Sequence, residues 1–173
     1  ASITEIPYAS FSRCTGLETI RIPDNVTTIG TAAFDRCISL QSVQLPANLE
    51  ILGSIAFADC SSLSEVSLPE GTKLLAFSVF SGCTSLAEFK IPESVKEIGV
   101  SCFRGCTALK SITLPATVSE FHINAFSGCS SLTDIFFKGT KAQFNDILKD
   151  RTWMVGTPLQ TVHCSDGDLN YVE

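Results

Sequence analysis

CTGLETIRIPDNVTTIGTAAFDRC, residues 14–37, begins and ends on cysteine and decides the fold. Between the two cysteines run L-x-x-I-x-I-P, then V-x-x-I-G, then A-F. The interval is 23 residues, and it recurs: cysteine stands at 14, 37, 60, 83, 106 and 129. Leucine follows three residues later each time, at Leu17, Leu40, Leu63, Leu86, Leu109 and Leu132. Proline closes the next segment at 23, 46, 69, 92 and 115. Phenylalanine precedes the next cysteine at Phe34, Phe57, Phe80, Phe103 and Phe126. Self-similarity at a fixed period of this length is the signature of a repeat architecture.

The period converts into geometry. L-x-x-I-x-I alternates at its end and is stopped by proline, which donates nothing to a ladder, so it reads as a short strand. A return after 23 residues lays the next strand beside it, parallel, at about 4.8 Å. Six such strands make one curved sheet roughly 25 Å across at that spacing. V-x-x-I-G forms another side of each coil. A-F-x-x-C is too short for a regular helix and reads as a single helical or 3₁₀ turn. The phenylalanines stack from coil to coil, because one repeat cannot bury its own apolar face.

The first thirteen residues fit the same frame, with Ile3, Ile6, Ser10 and Phe11 standing 23 before Val26, Ile29, Ala33 and Phe34. The chain opens in mid-repeat, and further repeats are expected ahead of residue 1. After Phe137 the pattern stops. Thr140 and Gln143 make a capping-box pair, and Phe144, Ile147 and Leu148 share a face, so 141–149 reads as a helix closing the core. Asp166-Gly167 then reads as a turn between two short strands, and Trp153 as packing in this cap. The division expected is a solenoid over 1–137 and a cap over 138–173, in one folding unit.

Composition excludes several functions. The 173 residues are 45% hydrophobic and carry a formal charge of −6. No basic stripe offers a footprint for nucleic acid, and no apolar run reaches the ~18 residues that span a bilayer. The six periodic cysteines form a straight ladder, whereas zinc needs ligands that converge. Neighbouring thiols come within disulfide reach, but parallel Cβ vectors disfavour the bond. They read as small buried hydrophobes. His163 and Cys164 are adjacent and therefore point to opposite faces of a strand, which rules out a proton-sharing pair. His122 reads as an exposed side chain, and Asp166 with Asp168 offers too few oxygens for calcium. The sequence points to no catalytic residue, cofactor or metal.

These residues closely resemble the BspA-like, or Treponema pallidum type, leucine-rich repeats, whose unit is C-x-x-L-x-x-I-x-[IL]-P-x-x-[VL]-x-x-I-G-x-x-A-F-x-x. The tail, FKGTKAQFNDI followed by TVHCSDG, resembles the family's frequent terminus. Thr72 in an aliphatic slot and Cys102 in the alanine slot are local departures. The resemblance implies an α/β leucine-rich-repeat right-handed solenoid with its parallel sheet on the concave face, short helical or 3₁₀ turns elsewhere, and a C-terminal helix plus β-hairpin cap. It implies a secreted or surface-exposed, non-enzymatic binding protein of host-associated bacteria or protozoan parasites.

The partner implied is a host matrix or cell-surface protein, and a monomer is expected. The candidate contacts are the outward strand residues Glu18, Arg21, Gln41, Gln44, Glu65, Ser67, Glu88, Lys90, Lys110, Thr113, Asp134 and Phe136. The same face also suits a solvated side of a structural stalk, since it holds few of the Trp, Tyr and Arg side chains that anchor interfaces.

Overall fold

The computed structural model describes residues 3–171. Over these the chain winds as a β-solenoid of about seven turns. The L-x-x-I-x-I segments supply β2 (Thr19–Arg21), β4 (Ser42–Gln44), β6 (Glu65–Val66), β7 (Glu88–Lys90), β9 (Ser111–Leu114) and β11 (Asp134–Phe137). The V-x-x-I segments are strands as well: β1 (Glu5–Ile6), β3 (Thr28–Ile29), β5 (Ile51–Leu52), β8 (Glu97–Ile98) and β10 (Glu120–Phe121). The tail adds α1 (Lys141–Asp146), β12 (Leu148–Lys149), β13 (Thr161–Cys164) and β14 (Gly167–Asn170).

Two sides of each coil are therefore parallel ladders, where a single sheet was the simplest reading. Each ladder is broken once. One side divides into β2-β4-β6 and β7-β9-β11-β13-β14, the other into β1-β3-β5 and β8-β10-β12. Both breaks fall at the coil that starts at Cys60. β6 pairs backward with β4, while Leu75 pairs forward with Ile98, so the chain between them crosses a seam.

Two departures from the repeat meet there. Thr72 is buried in the aliphatic slot with its hydroxyl oxygen unpartnered, an arrangement that costs about 1–3 kcal/mol. Ala76 stands in the column of Gly30, Gly53 and Gly99. A Cβ added at Gly53 would lie 2.5 Å from the Thr31 nitrogen of the preceding coil. His122 occupies the same column, yet its amide still reaches the Ile98 carbonyl at 3.0 Å, so a Cβ alone does not open a ladder.

The third side is continuous across the seam. The A-F-x-x-C corner is a string of β-turns in place of the helical or 3₁₀ turn. Ala33, Asp35 and Cys37 donate to Gly30, Ala32 and Phe34 within the coil, at 3.1–3.2 Å. The alternate amides of Ala32, Phe34 and Arg36 donate to Ser54, Ala56 and Ala58 of the next coil, at 2.8–3.0 Å. A helix would direct every amide along its own axis and leave the neighbouring coil unbonded. The alternation requires left-handed residues, and Ala32 (φ 59), Arg36 (φ 56), Ile55 (φ 51) and Asp59 (φ 55) adopt that conformation.

Inside the corner, Phe11, Phe34, Phe57, Phe80, Phe103 and Phe126 stack with centroids 5.1–5.8 Å apart and planes within 15°. Burying one such ring is worth about 1.5–3 kcal/mol, and offset stacking adds about 0.5–1.5 kcal/mol per pair. The spacing is widest, 5.8 Å, between Phe57 and Phe80 at the seam.

The cysteines do more than fill space. Cys37, Cys60, Cys83, Cys106 and Cys129 each donate a thiol hydrogen bond to the phenylalanine carbonyl 26 residues earlier, at 3.0–3.2 Å. Cys14 is exposed.

The terminal helix is shorter than 141–149. Thr140 caps it, accepting from the Gln143 amide at 3.3 Å while the Gln143 side chain accepts from the Thr140 amide at 2.8 Å. It ends at Asp146 because Leu148 and Lys149 leave it to pair with Glu120 and Phe121 of β10, extending the ladder. Phe144 is fully buried and meets Phe137 edge-on at 5.4 Å. Trp153 stacks on Phe121 at 4.9 Å. The hairpin β13–β14 turns at Ser165 and Asp166, since Cys164 pairs with Gly167.

Candidate functional site

The seam divides the anticipated binding face into two patches. The first is a groove of about 860 Å³ over β2-β4-β6, lined in part by Arg21, Gln44, Glu65 and Ser67. Pleating sends these side chains outward. Register places Arg21 beside Gln44, and Val43, Leu45 and Val66 add apolar surface to the lining. Arg21 lies 3.7 Å from Asp24, and both side chains are largely exposed. Such a pair holds the guanidinium weakly. Glu18 and Gln41 are exposed just before the strands and do not line the groove.

The second patch lies on β7-β9-β11-β13. One row runs Glu88, Ser111, Asp134, Thr161; the other runs Lys90, Thr113, Phe136, His163. Lys110 is exposed immediately before β9. The His163 ring stacks on Phe136 at 4.7 Å and 16°. Its Nε2 lies 2.9 Å from Asp134 Oδ1 and its Nδ1 lies 3.0 Å from Asp168 Oδ1. The Thr133 hydroxyl donates to Asp134 Oδ2 at 2.7 Å. The hydrogen bond to Asp134, with Asp168 assisting, raises the His163 pKa. The Thr133 hydroxyl, then His163, hold the Asp134 carboxyl below its usual range.

His163 thus joins Asp134 and Phe136 in a cluster that sequence spacing misses. The step from β11 to β13 is 27 residues, not 23, because the helix is inserted between them. Only an alignment of TVHC with DIFF, across that insertion, would have found it.

Burial works against a nucleophilic role for Cys60 and Cys164. Burial, with the charge of Cys37, pushes the Cys60 thiol up to about 12. Burial, with Asp166, raises Cys164, whereas reactive cysteines have depressed values. His122 is half-buried against Glu97 and Glu120, a correction to its expected exposure. No described helix is long and apolar enough to cross a membrane.

The BspA type leucine-rich repeat region matches residues 62–148, half of the chain, in six copies. The chain belongs to that family. Over 76% of its length it is 36% identical to a leucine rich cell surface protein from Faecalibacterium prausnitzii A2-165, with a TM-score of 0.74. It is equally identical, over 77% of its length, to a T. pallidum leucine rich repeat protein, with a TM-score of 0.72. The pneumococcal vaccine antigen PcpA, at 24% identity over 86% of the chain and a TM-score of 0.70, shares the fold. The chain spans 35%, 62% and 36% of the length of these three proteins. The comparison with curated proteins returns no match. Leucine-rich-repeat chains of this family are protein-interaction modules, typically non-enzymatic.

Proposed function

We propose that this chain binds a protein partner through the strand face, as the adhesive part of a secreted or surface-attached protein. The partner class is a host matrix protein or another cell's surface protein. The observation that carries the reading is the groove over β2-β4-β6, which pairs the Arg21 guanidinium with hydrogen-bonding side chains and exposed apolar area. Interfaces use that mixture: arginine at the anchor, apolar contact at the centre and polar groups at the rim. Resemblance to a protein described as a cell surface protein supports the location. The second reading, a stalk that presents another domain, is favoured by the lack of Trp or Tyr among the groove residues.

The test is surface plasmon resonance of the purified chain against a panel of matrix and cell-surface proteins. Saturable binding that is lost in Arg21→Glu with Glu65→Lys supports the groove. Binding that survives both substitutions, in a protein of unchanged melting temperature, moves the site elsewhere. Silence across the panel favours the stalk.

A further inference from the structure

Glu97, Glu120 and His122 lie on the side of the solenoid built by β8 and β10, away from the binding face. Glu97 and Glu120 are register partners in that parallel ladder, where like charges directly opposite one another are unfavourable. Their flanking register neighbours are Leu74, beside the Leu75 bridge, and Leu148. Neither leucine neutralises a carboxylate. Among the described residues, the one basic side chain within ion-pair distance of either glutamate is His122.

His122 projects into this pair from the glycine column. Gly99, the equivalent residue of the preceding coil, has no side chain, and the ring spans both coils. Its Nε2 lies 3.3 Å from Glu97 Oε2 and its Nδ1 lies 3.4 Å from Glu120 Oε1. One ligand atom from each of the three residues falls within 4.8 Å of the other two. Two ligands on a tetrahedral zinc, at bond lengths near 2.0–2.2 Å, stand about 3.4 Å apart. The contact of Glu97 with Nε2 already has that length, and Glu120, on a flexible stem, closes the rest by a rotamer change.

We infer that Glu97, Glu120 and His122 form a binding site for a divalent transition-metal cation of the zinc type, with water in the fourth position. One imidazole nitrogen with two carboxylate oxygens is a donor set that zinc accepts. The ion neutralises the repelling glutamates and ties two successive coils together, through residues whose backbones are paired in register. The set is distinct from the cysteine ladder and makes no use of its thiols.

The experiment is a zinc chloride titration of the purified chain, followed by calorimetry and by the histidine ring signals in NMR. The chain holds two histidines, so His163→Gln assigns the ring of interest. The expected result is saturation at one zinc per chain with the His122 signals moving. Glu97→Gln and Glu120→Gln should each weaken binding by about tenfold or more, at least the loss seen on removing an outer-shell partner. Circular dichroism checks that these exposed-face variants stay folded. Zinc uptake that leaves the His122 signals in place, as coordination by Cys14 or Cys164 would, overturns the site. So does undiminished affinity in His122→Gln, or no binding at millimolar zinc.

Discussion

The Cys83 Sγ stands 3.2 Å from the Phe57 carbonyl oxygen, one coil behind it. The same carbonyl accepts the Cys60 amide at 3.3 Å. The repeated cysteine is therefore a small core residue and a hydrogen-bond donor between coils. Cys83→Ala removes the donor and leaves a sulfur-sized void. It is expected to cost about 1–2 kcal/mol, read as a lower urea midpoint with an unchanged slope. A variant as stable as the parent would reduce the thiol to filler.

Ile55 is β-branched and yet holds φ 51. The left-handed conformation costs about 1–2 kcal/mol for such residues, and asparagine tolerates it. Asn124 occupies the equivalent position at φ 55. Ile55→Asn is expected to raise stability by up to about 1 kcal/mol, measured by thermal unfolding. A lower melting temperature would mean that the half-buried isoleucine contributes more by packing than it loses in strain.

The His163 cluster fastens β13 and β14 to β11, and its charges set a pH window. The His163 pKa is raised on folding, so its contribution is full below the unfolded value near 6.5 and fades as pH rises through the folded value. The Asp134 pKa is lowered, so its contribution is full above about 3.9 and is lost as pH falls through the folded value. Hairpin stability is expected to be greatest between those limits, from about pH 4 to about 6.5. His163→Gln should flatten the alkaline limb of the melting-temperature profile and shrink the acid limb without abolishing it, since the Thr133 hydroxyl still holds the Asp134 carboxyl down. Parallel profiles for the two proteins would remove His163 from the account.

The seam predicts a local pattern of amide exchange. Ser67 and Leu68 lie outside any ladder, whereas Thr113 and Leu114 at the equivalent place lie within β9, paired to β11. Hydrogen–deuterium exchange is expected to be faster at Ser67 and Leu68 than at Thr113 and Leu114. Equal protection would mean that the two ladders close in solution.

The period of 23, the strand under L-x-x-I-x-I, the phenylalanine stack and the burial of the periodic cysteines from Cys37 to Cys129 were legible because each repeats without a slip, whereas Cys14 is exposed. Three features were not. The β-turn corner depends on left-handed residues at Ala32 and Arg36, and neither residue type announces that conformation. The seam arises where Thr72 and Ala76 depart from the repeat; Thr72 stood out as a departure, but the repeat pattern alone does not tie it to a break in both ladders. The site clusters depend on register between coils: Glu97, Glu120 and His122 meet because they are 23 and 25 residues apart, and His163 meets Asp134 across an insertion. Of the outward polar residues, Glu18, Gln41, Ser67 and Lys110 fall just outside the strands, and the break that sorts the rest into two patches was not foreseen.

The thiols of Cys37, Cys60, Cys83, Cys106 and Cys129 each reach backward to the coil before, never within their own. Each 23-residue unit, from the one holding Phe34 and Cys37 to the one holding Phe103 and Cys106, consequently carries a donor for the junction behind it and an acceptor for the junction ahead. A gene that gains or loses a whole unit leaves each remaining junction chemically intact. Array length is then free to drift by unequal crossing-over, and reach evolves separately from the side chains displayed along it.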